Sequence, residues 1–348
     1  MSAAQPPAQL GLSSAEEPLA GGFDVLLFDL DGVVYVGPEA VPGAAESLSR
    51  AARAGLICRF VTNNAARTPQ DVAAHLRELG IQADDDQVVT AAQEGAELLA
   101  SRLPAGSEVL AVGGPGVSAA LHEVGLVPVH RTRRGVAGVL QGFGPDVGWR
   151  DLAEATYAVR AGADWVATNP DMTVPTPRGT APGNGQLVGV VARTTGKQPE
   201  VTGKPGPGLF TSAARRAGGG RALVIGDRLD TDIGGAGAAG FPSLLVLTGV
   251  TGPEQLLGAG RHERPSYLAA DLAGLWQSHP PVVQADEWWV CREARARVSG
   301  VRLEVVGESG PDPLDGWRCA AVAAWSARDR GAEVDLTASA ESLRAWSG

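Results

Sequence analysis

Cysteine is scarce in this 348-residue sequence, which contains only Cys58, Cys291 and Cys319. An odd number of cysteines without a Cys-x-x-Cys pair argues against a disulfide framework and against a cysteine-based zinc site. An excess of basic residues is also lacking, because 29 Lys and Arg stand against 39 Asp and Glu, a formal net charge of −10. This balance argues against a basic nucleic-acid-binding surface, and we predict no nucleic-acid partner.

Targeting segments and long unbroken hydrophobic runs are missing as well. Residues 1–20 carry no early positive charge and no apolar centre, so we interpret them as a disordered leader and not as a signal peptide. The uncharged stretch Ile233–Pro253 is long enough to span a bilayer, but six glycines and Pro242 interrupt it. We interpret it as a helix, a turn and a buried strand. The sequence thus predicts a cytoplasmic protein without a membrane partner.

Short apolar runs alternate with helix-length amphipathic segments, which is typical of an α/β protein with a parallel sheet. Helices are predicted from about Pro69 and over Ala91–Leu103. The runs assigned to a first sheet are Phe23–Leu30, Leu56–Val61, Val88–Thr90, Val201, Arg221–Ile225 and Leu244–Leu247. The runs assigned to a second αβ stretch are Glu108–Val112, Gly138–Leu140 and Trp165–Thr168.

The composition changes after Pro280–Pro281, because six of the eight tryptophans lie from Trp276 onward. The predicted elements of this tail are a strand over Trp288–Arg297, a strand over Val301–Val306, a turn region over Gly310–Gly316, a helix over Trp317–Arg328, and a final strand and helix. A segment this short is near the lower limit for an independent core. We therefore expect it to dock on the main body or on another subunit, which leaves a homo-oligomer open. Its deletion is expected to change stability or oligomerisation more than the chemical step.

Two carboxylates stand at the end of the first apolar run, in the string Asp29-Leu30-Asp31-Gly32. Isolated buried charges cost free energy, and open α/β sheets bind ligands at the carboxyl ends of their strands. A Mg²⁺ ion, which prefers oxygen ligands, would account for both carboxylates. A calcium-binding loop is excluded because Ala40 occupies the position that requires a glutamate. An ordinary polar turn stays open on this string alone.

A second acidic string, Gly226-Asp227-Arg228-Leu229-Asp230-Thr231-Asp232, follows the apolar run Ala222–Ile225. If the two runs are adjacent parallel strands, Asp227 and Asp29 lie at the same edge of the sheet.

The string Thr62-Asn63-Asn64 follows another apolar run. A hydroxyl, an amide and backbone N–H groups at a strand end are suited to bind phosphate.

Lysine is nearly absent, since Lys197 and Lys204 are the only lysines among 29 cationic residues. Lys204 lies in the string Gly203-Lys204-Pro205, after a predicted strand. The compact charge of an ammonium group there suggests a specific anionic ligand. Lys197 offers a comparison, and we interpret it as a solvated residue at a helix end.

The strings DLDGV, TNN, GKP and GDRLDTDI resemble, in this order, the four motifs of the haloacid dehalogenase superfamily. The 142 positions from Thr62 to Lys204 leave room for a large cap between the second and third motifs. This arrangement resembles the type-II-capped branch, which includes p-nitrophenyl phosphatase-like, phosphoglycolate and glycerol-3-phosphate phosphatases. The resemblance covers about residues 23–275 and does not include the tail.

This resemblance implies an α/β fold of several parts. After the leader, residues 21–103 and 200–277 would form a Rossmann-like parallel-sheet core. Residues 104–199 would form an inserted α/β cap, and residues 281–348 would form a small α+β C-terminal domain.

The resemblance also implies a Mg²⁺-dependent phosphatase that hydrolyses a small phosphomonoester through an aspartyl-phosphate. Asp29 would be the nucleophile. Asp31 would protonate the leaving alkoxide and then activate the hydrolytic water. Asp29, the carbonyl group of Asp31 and Asp227 would hold Mg²⁺.

The remaining implied roles concern phosphate binding and support. The phosphoryl group would be bound by Thr62, the Asn63 backbone and Lys204. Asp232 would support the metal site or Lys204. Asn64 and Arg228 match the family strings, and a purely structural role is equally open for both.

The cap is expected to set substrate specificity. The string Ala167-Thr168-Asn169-Pro170-Asp171 follows an apolar run and resembles the cap segment that faces the active site in this family. Asn169 and Asp171 could therefore hydrogen-bond substrate hydroxyls. An Asx turn with a loop proline is the alternative.

The substrate is predicted to be glycerol 3-phosphate or 2-phosphoglycolate, by resemblance. A nucleotide, a sugar phosphate or pyridoxal phosphate is the alternative within the same fold. A receiver-like switch with a stable aspartyl-phosphate is the non-enzymatic alternative. The glycines of Gly235–Gly240 match a dinucleotide fingerprint literally, but they do not follow a strand directly, which argues against it.

Overall fold

The short apolar runs form strands, because aliphatic and β-branched side chains fit a pleated surface that is buried on both faces. The computed structural model describes residues 11–176, 178–307 and 312–347. In chain order, its strands are β1 (Val25–Phe28), β2 (Tyr35–Val36), β3 (Glu39–Ala40), β4 (Ile57–Thr62), β5 (Val88–Thr90), β6 (Glu108–Val112), β7 (Val127–Val129), β8 (Gly138–Gln141), β9 (Asp164–Ala167), β10 (Thr173–Thr176), β11 (Gly179–Pro182), β12 (Glu200–Val201), β13 (Ala222–Gly226), β14 (Ser243–Val246), β15 (Tyr267–Ala269), β16 (Val283–Ala285), β17 (Trp288–Cys291), β18 (Ala294–Ser299) and β19 (Arg302–Val306).

The amphipathic segments form helices, and local capping fixes several of their ends. The α-helices are α1 (Ala44–Arg53), α2 (Pro69–Glu78), α3 (Ala91–Ala100), α4 (Pro115–Glu123), α5 (Trp149–Arg160), α6 (Asn184–Thr195), α7 (Gly208–Arg216), α8 (Gly234–Ala239), α9 (Pro253–Gly258), α10 (Asp315–Asp329) and α11 (Leu336–Ser347). The Thr68 hydroxyl accepts a hydrogen bond from the Asp71 backbone N–H at 3.1 Å, and Pro69 occupies the first position of α2 as predicted. Helix α3 ends at Ala100, before the predicted Leu103.

The chain divides into two compact units, residues 1–58 with 217–348 and residues 59–216. The first unit contains the parallel strands β15, β14, β13 and β1, in that spatial order. Leu27 lies beside Val224 and Phe28 beside Ile225, so β1 and β13 end at the same edge. The two acidic strings therefore follow adjacent parallel strands, as predicted. The predicted boundaries of core, cap and C-terminal domain are a different division and stay a prediction.

The second unit contains a five-stranded parallel sheet in the order β12, β9, β8, β6, β7. Val109 and Ala111 of β6 pack with α3 and α4, whereas Leu110 and Val112 pack with α5 and α6. This alternation places a helical layer on each face of the sheet. Strand β4 pairs in parallel with β5, and β10 forms an antiparallel hairpin with β11.

The assignment of Val201 to the first sheet is wrong. Strand β12 pairs with β9, and Val201 lies beside Ala167 in the five-stranded sheet. A two-residue strand is too short to show a hydrophobic pattern, so its partner strand is decided by tertiary packing and not by its own sequence.

The expectation of a disordered leader is wrong for residues 11–20. Leu19 is only 2% exposed, and the Ala15 backbone N–H donates to the His279 carbonyl at 2.8 Å. Burial of Leu19 and Ala20 and backbone hydrogen bonds to Ser266, Gln277 and His279 together oppose the entropy cost of ordering this segment. Residues 1–10 lie outside the described residues.

The interpretation of Ile233–Pro253 is confirmed, since α8 and β14 lie within it, separated by a turn. None of the helices in the described part of the chain is both long enough and apolar enough to cross a bilayer.

The tail forms an antiparallel sheet, β16 to β19, with α10 and α11. The single predicted strand Trp288–Arg297 is wrong, because β17 and β18 are two strands joined by a tight turn. Arg292 adopts a left-handed conformation in this turn, with φ of 53°. Glycine and asparagine, the usual residues of such turns, are absent there, so the sequence does not show it.

Helix α10 begins at Asp315, close to the predicted Trp317. Gly310 and Pro311 of the predicted turn region lie outside the described residues. Residues 332–335, between α10 and α11, form no strand, so the predicted final strand is wrong for this segment.

The cysteines have no redox or catalytic role that this structure supports. Cys58, Cys291 and Cys319 are all buried. Burial raises the pKa of the Cys291 and Cys319 thiols, that of Cys319 to about 12. At neutral pH such thiols are protonated and are not nucleophiles.

Trp325 anchors the tail to the rest of the first unit. Its side chain is fully buried, its indole N–H donates to the Leu256 carbonyl at 2.8 Å, and the Arg264 guanidinium lies 5.3 Å from its ring centre. We expect Trp325→Ala to lower the free energy of unfolding by about 4 kcal/mol, measured by urea denaturation. Trp149→Ala, at a position that is 78% exposed, is the control and should change it by less than about 0.5 kcal/mol. A loss below about 1 kcal/mol for Trp325→Ala would mean that the tail adds little stability.

Candidate active site

The predicted site residues fall into two groups, one in each compact unit. In the first unit, the structure brings together Asp29, Asp227 and Asp232, with one carboxylate oxygen of each within 4.8 Å of the others. Their exposures are 7%, 0% and 0%. Asp29 and Asp227 come directly after the paired strands β1 and β13, and a helical turn over Leu229–Ile233 returns Asp232 to the same place. We call these three residues the acidic cluster.

The loop after β14 holds Asp227 in position. The Val250 backbone N–H donates to Asp227 Oδ2 at 2.7 Å, and the Thr251 hydroxyl donates to the Asp227 carbonyl at 2.6 Å. The Thr248 hydroxyl donates to the Gly32 carbonyl at 2.6 Å. This loop is not among the predicted site residues. Its signal is that Thr248–Thr251 follows the apolar run of β14, a third strand that ends at the same edge.

Glycines surround the acidic cluster because side chains would collide with it. A Cβ atom at Gly32 would lie 2.5 Å from Asp227 Oδ2, and one at Gly249 would lie 2.0 Å from the same oxygen. Gly32 also has a φ of 86°, which disfavours other residues. A Cβ at Gly226 would lie 2.2 Å from the Cβ of Asp232. The glycines therefore leave a cradle around the carboxylates.

Asp31 and Arg228 occupy different positions from the cluster. Asp31 lies two residues after Asp29, and its side chain is exposed. An exposed carboxyl group can exchange protons with substrate and water more readily than a buried one. Arg228 forms an ion pair with Asp230 at 2.8 Å, while its backbone N–H donates to Asp232 Oδ2 at 3.1 Å. The side chain of Arg228 thus pairs with Asp230, and its support of the site stays a prediction beside the structural alternative.

In the second unit, Thr62 is the last residue of β4, and Asn63 and Asn64 follow it, so the string lies at a strand end as predicted. Thr62 is 3% exposed, and its hydroxyl accepts a hydrogen bond from the Asn64 backbone N–H at 3.0 Å. The Asn64 side chain accepts one from the Ala66 backbone N–H at 2.9 Å. Asn64 therefore shapes the turn after β4, which is the structural alternative for this residue.

Lys204 is almost completely buried, with 3% exposure, and its Nζ lies 3.5 Å from the Val61 carbonyl oxygen at the end of β4. A buried ammonium group costs free energy, so this position suits a site that receives an anion. Lys197, the comparison residue, is exposed, and its Nζ donates to the Val159 carbonyl at 2.8 Å, near the end of α5. Lys197 thus behaves as a helix-end residue, as interpreted from the sequence.

Asn169 and Asp171 lie in the loop after β9. Asn169 is 3% exposed; its Oδ1 accepts from the Asp171 backbone N–H at 3.2 Å, and its Nδ2 donates to the Asn63 carbonyl at 2.8 Å. This is the Asx turn of the alternative interpretation. Asp171 is partly exposed, and its carboxylate accepts from Asn63 Nδ2 at 3.2 Å. Contact of either residue with substrate stays a prediction.

Comparison with known families identifies the family to which the chain belongs. A family model described as a haloacid dehalogenase-like hydrolase matches residues 26–127, and a second HAD-hydrolase-like model matches residues 201–275. The first match contains Asp29, Asp31 and Thr62, and the second contains Lys204 and Asp227. The chain belongs to the haloacid dehalogenase-like hydrolases.

Two relatives and one solved structure each match most of the length of this chain. The D-glycerol 3-phosphate phosphatase of Mycobacterium tuberculosis is 44% identical over 319 residues, 89% of this chain and 88% of that protein. An acid sugar phosphatase of Staphylococcus aureus is 36% identical over 252 residues, 72% of this chain and 95% of that protein. A crystal structure of glycerol phosphate phosphatase from Mycobacterium tuberculosis in complex with magnesium matches with a TM-score of 0.83 and 42% identity, covering 95% of this chain and 99% of that one.

These matches confirm the predicted superfamily, the predicted α/β fold class and the predicted enzyme class, a phosphoric monoester hydrolase. They do not support the receiver-like switch. The roles of the acidic cluster and of Lys204 in phosphoryl transfer stay predictions.

Proposed function

We propose that this chain is a Mg²⁺-dependent phosphatase that hydrolyses glycerol 3-phosphate. The observation that carries the substrate is the extent of the match to glycerol phosphate phosphatase, which includes 95% of this chain. The part of this chain outside the match, 5% of its length, is shorter than the tail over residues 281–348. The match therefore includes most of the tail. The acid sugar phosphatase match covers only 72% of this chain.

A sugar phosphate is the second candidate, because the acid sugar phosphatase is 36% identical over the part that it does cover. The candidate 2-phosphoglycolate rests on resemblance to the type-II-capped branch alone.

We further propose a cytoplasmic enzyme that uses neither nucleic acid nor membrane as a partner, which is consistent with the net charge of −10. Oligomerisation through the tail stays open.

The acidic cluster fits a Mg²⁺ ion. Three carboxylates within 4.8 Å repel one another, and a divalent cation that prefers oxygen ligands offsets this repulsion. The cradle left by Gly32 and Gly249 also suits an ion, because side chains at these two positions would fill the space beside Asp227. We propose that Asp29 and Asp227 hold the ion, with the Asp31 carbonyl group as implied by the family and with Asp232 beside them. When bound, Mg²⁺ would bring the substrate phosphate and the Asp29 carboxylate together and offset the developing charge.

The first chemical step would use Asp29 and Asp31. A carboxylate oxygen of Asp29 attacks phosphorus, a new O–P bond forms, and the bond from phosphorus to the substrate oxygen breaks. The carboxyl group of Asp31 gives its proton to the leaving oxygen, so an alcohol departs instead of an alkoxide. The exposure of Asp31 is consistent with this contact.

The second step would release phosphate. Asp31, now ionised, takes a proton from a water molecule, whose oxygen attacks the phosphorus of the aspartyl-phosphate and frees the Asp29 carboxylate. Thr62, the Asn63 backbone N–H and Lys204 would bind the phosphoryl oxygens throughout. Lys204 would contribute its side-chain amino group for this purpose, and electrostatic interactions with phosphate are stronger at a buried position.

A phosphate-release screen tests this proposal. The full chain is incubated with about a hundred phosphomonoesters, with Mg²⁺ or with EDTA, and inorganic phosphate is measured. We expect glycerol 3-phosphate to give the highest kcat/KM, and EDTA to reduce release at least about 100-fold, since the metal contributes several kcal/mol to transition-state stabilisation. A higher kcat/KM for a sugar phosphate would favour the second candidate. No release from any ester would overturn the phosphatase assignment for this chain.

A further inference from the structure

The Asn63 side chain holds the backbone of Lys204 through both of its amide atoms. Its Oδ1 accepts from the Lys204 backbone N–H at 2.8 Å, and its Nδ2 donates to the Lys204 carbonyl at 3.1 Å. The same Nδ2 reaches the Asp171 carboxylate at 3.2 Å and 3.4 Å. One amide group therefore joins three loops, those after β4, β9 and β12.

These loops approach so closely that Gly203 is required between them. A Cβ atom at Gly203 would lie 2.2 Å from the Thr168 carbonyl oxygen and 2.5 Å from Asn63 Oδ1. The Asn63 carbonyl in turn accepts from Asn169 Nδ2 at 2.8 Å. Asn63 is therefore bonded through its side chain and its backbone, and it has little freedom to move.

The position of Lys204 depends on this arrangement. A lysine side chain is long and flexible, so the placement of its ammonium group starts from the placement of its backbone. The backbone is held by Asn63, and Nζ lies 3.5 Å from the Val61 carbonyl, two residues before Asn63. Both ends of Lys204 are thus fixed to the same strand end.

We propose that the Asn63 side chain is a positioning residue for Lys204, in addition to the phosphate contact expected from its backbone. By holding the Lys204 backbone, it sets where the ammonium group meets the transferring phosphoryl group, and through Asp171 it ties this position to the loop after β9. This inference rests on the proposed phosphatase function. It requires an amide at position 63, since the contact uses an acceptor and a donor of one planar group.

Two variants of Asn63 test what its amide oxygen and amide nitrogen each contribute. Asn63→Leu removes donor and acceptor at similar volume, and we expect kcat/KM for p-nitrophenyl phosphate to fall about 100-fold, the effect of a displacement of about 1 Å in a catalytic group. Asn63→Asp keeps the acceptor, removes the donors and adds repulsion with Asp171; we expect a loss of about 10-fold or more. Gln186→Ala, which removes an exposed amide on α6, is the control and should behave as wild type.

A double-mutant cycle with Lys204→Ala distinguishes positioning from a general structural role. If Asn63 acts through Lys204, Asn63→Leu should cost less than about 3-fold once Lys204 is absent, because coupled residues are non-additive. Binding of inorganic phosphate, measured by calorimetry, should show the same pattern, and circular dichroism should show that each variant is folded. Equal losses in both backgrounds, with either position 63 variant, would overturn the positioning role. The phosphatase assignment would stand in that case, because it depends on release by the wild-type chain.

Discussion

Asp29→Asn should reduce kcat by at least about 10⁴-fold, measured as phosphate release from glycerol 3-phosphate and from p-nitrophenyl phosphate. An amide at this position is a far poorer nucleophile than a carboxylate, so the covalent step is lost for both substrates, whatever their leaving groups. The loss should therefore appear in kcat and not in KM alone. A variant that retains more than about a tenth of wild-type kcat would contradict the assignment of Asp29 as nucleophile.

Asp29→Asn should also change the melting temperature in a way that a damaged fold would not. The acidic cluster places three carboxylates within 4.8 Å, and removal of one charge relieves repulsion. In EDTA, we expect the melting temperature of Asp29→Asn to be about 2 °C or more above wild type, whereas the increase on adding Mg²⁺ should be smaller than in wild type. Asp24→Asn, at the exposed opposite end of β1, is the matched control and should keep wild-type activity.

The residues of the candidate site could be predicted from the sequence because they lie directly after strands. Asp29 and Asp227 each follow a run of buried aliphatic residues, and parallel strands bring their carboxyl ends to one edge. Lys204 was indicated by its rarity and by its place after a strand, and the structure buries it to 3% exposure. In each case, a local pattern and one rule of sheet geometry were sufficient.

Features that depend on packing between distant segments could not be predicted in this way. The bond from Val250 to Asp227 and the bonds from Asn63 to Lys204 join positions 23 and 141 residues apart. No hydrophobic period marks such contacts, since they involve single backbone groups in loops. The pairing of β12 with β9 has the same origin, because a two-residue strand is placed by its neighbours.

Glycine is the one signal in the sequence that bears on these contacts. Gly32, Gly203 and Gly249 each lie where a Cβ atom would come within 2.5 Å of a buried oxygen atom. In the sequence they are indistinguishable from the glycines of ordinary turns, because 47 glycines are present. Their role becomes visible only when the opposing carboxylate or carbonyl group is placed.

Asp31→Asn should separate the two steps of the reaction, and its effect should depend on the leaving group. With glycerol 3-phosphate, both steps need a proton transfer by Asp31, so we expect kcat to fall about 10³-fold to 10⁴-fold. With p-nitrophenyl phosphate, the phenolate leaves without a proton, so attack by Asp29 proceeds and only the hydrolysis of the aspartyl-phosphate is slowed.

Rapid mixing of Asp31→Asn with p-nitrophenyl phosphate should therefore give a burst of one p-nitrophenol per active site, followed by slow turnover. Acid quenching should trap the phosphorylated enzyme, and the double variant Asp29→Asn with Asp31→Asn should show neither burst nor trapped phosphate.

Asp230→Asn is the matched control: this carboxylate is 60% exposed and pairs with Arg228, so its loss should leave kcat unchanged. Equal losses for both substrates without a burst would show that the first step needs Asp31 even when the leaving group needs no proton, and would contradict its assignment as proton donor to that group. Asp31→Asn is thus expected to divide the reaction into two measurable halves, because p-nitrophenolate leaves without a proton whereas the attacking water must lose one.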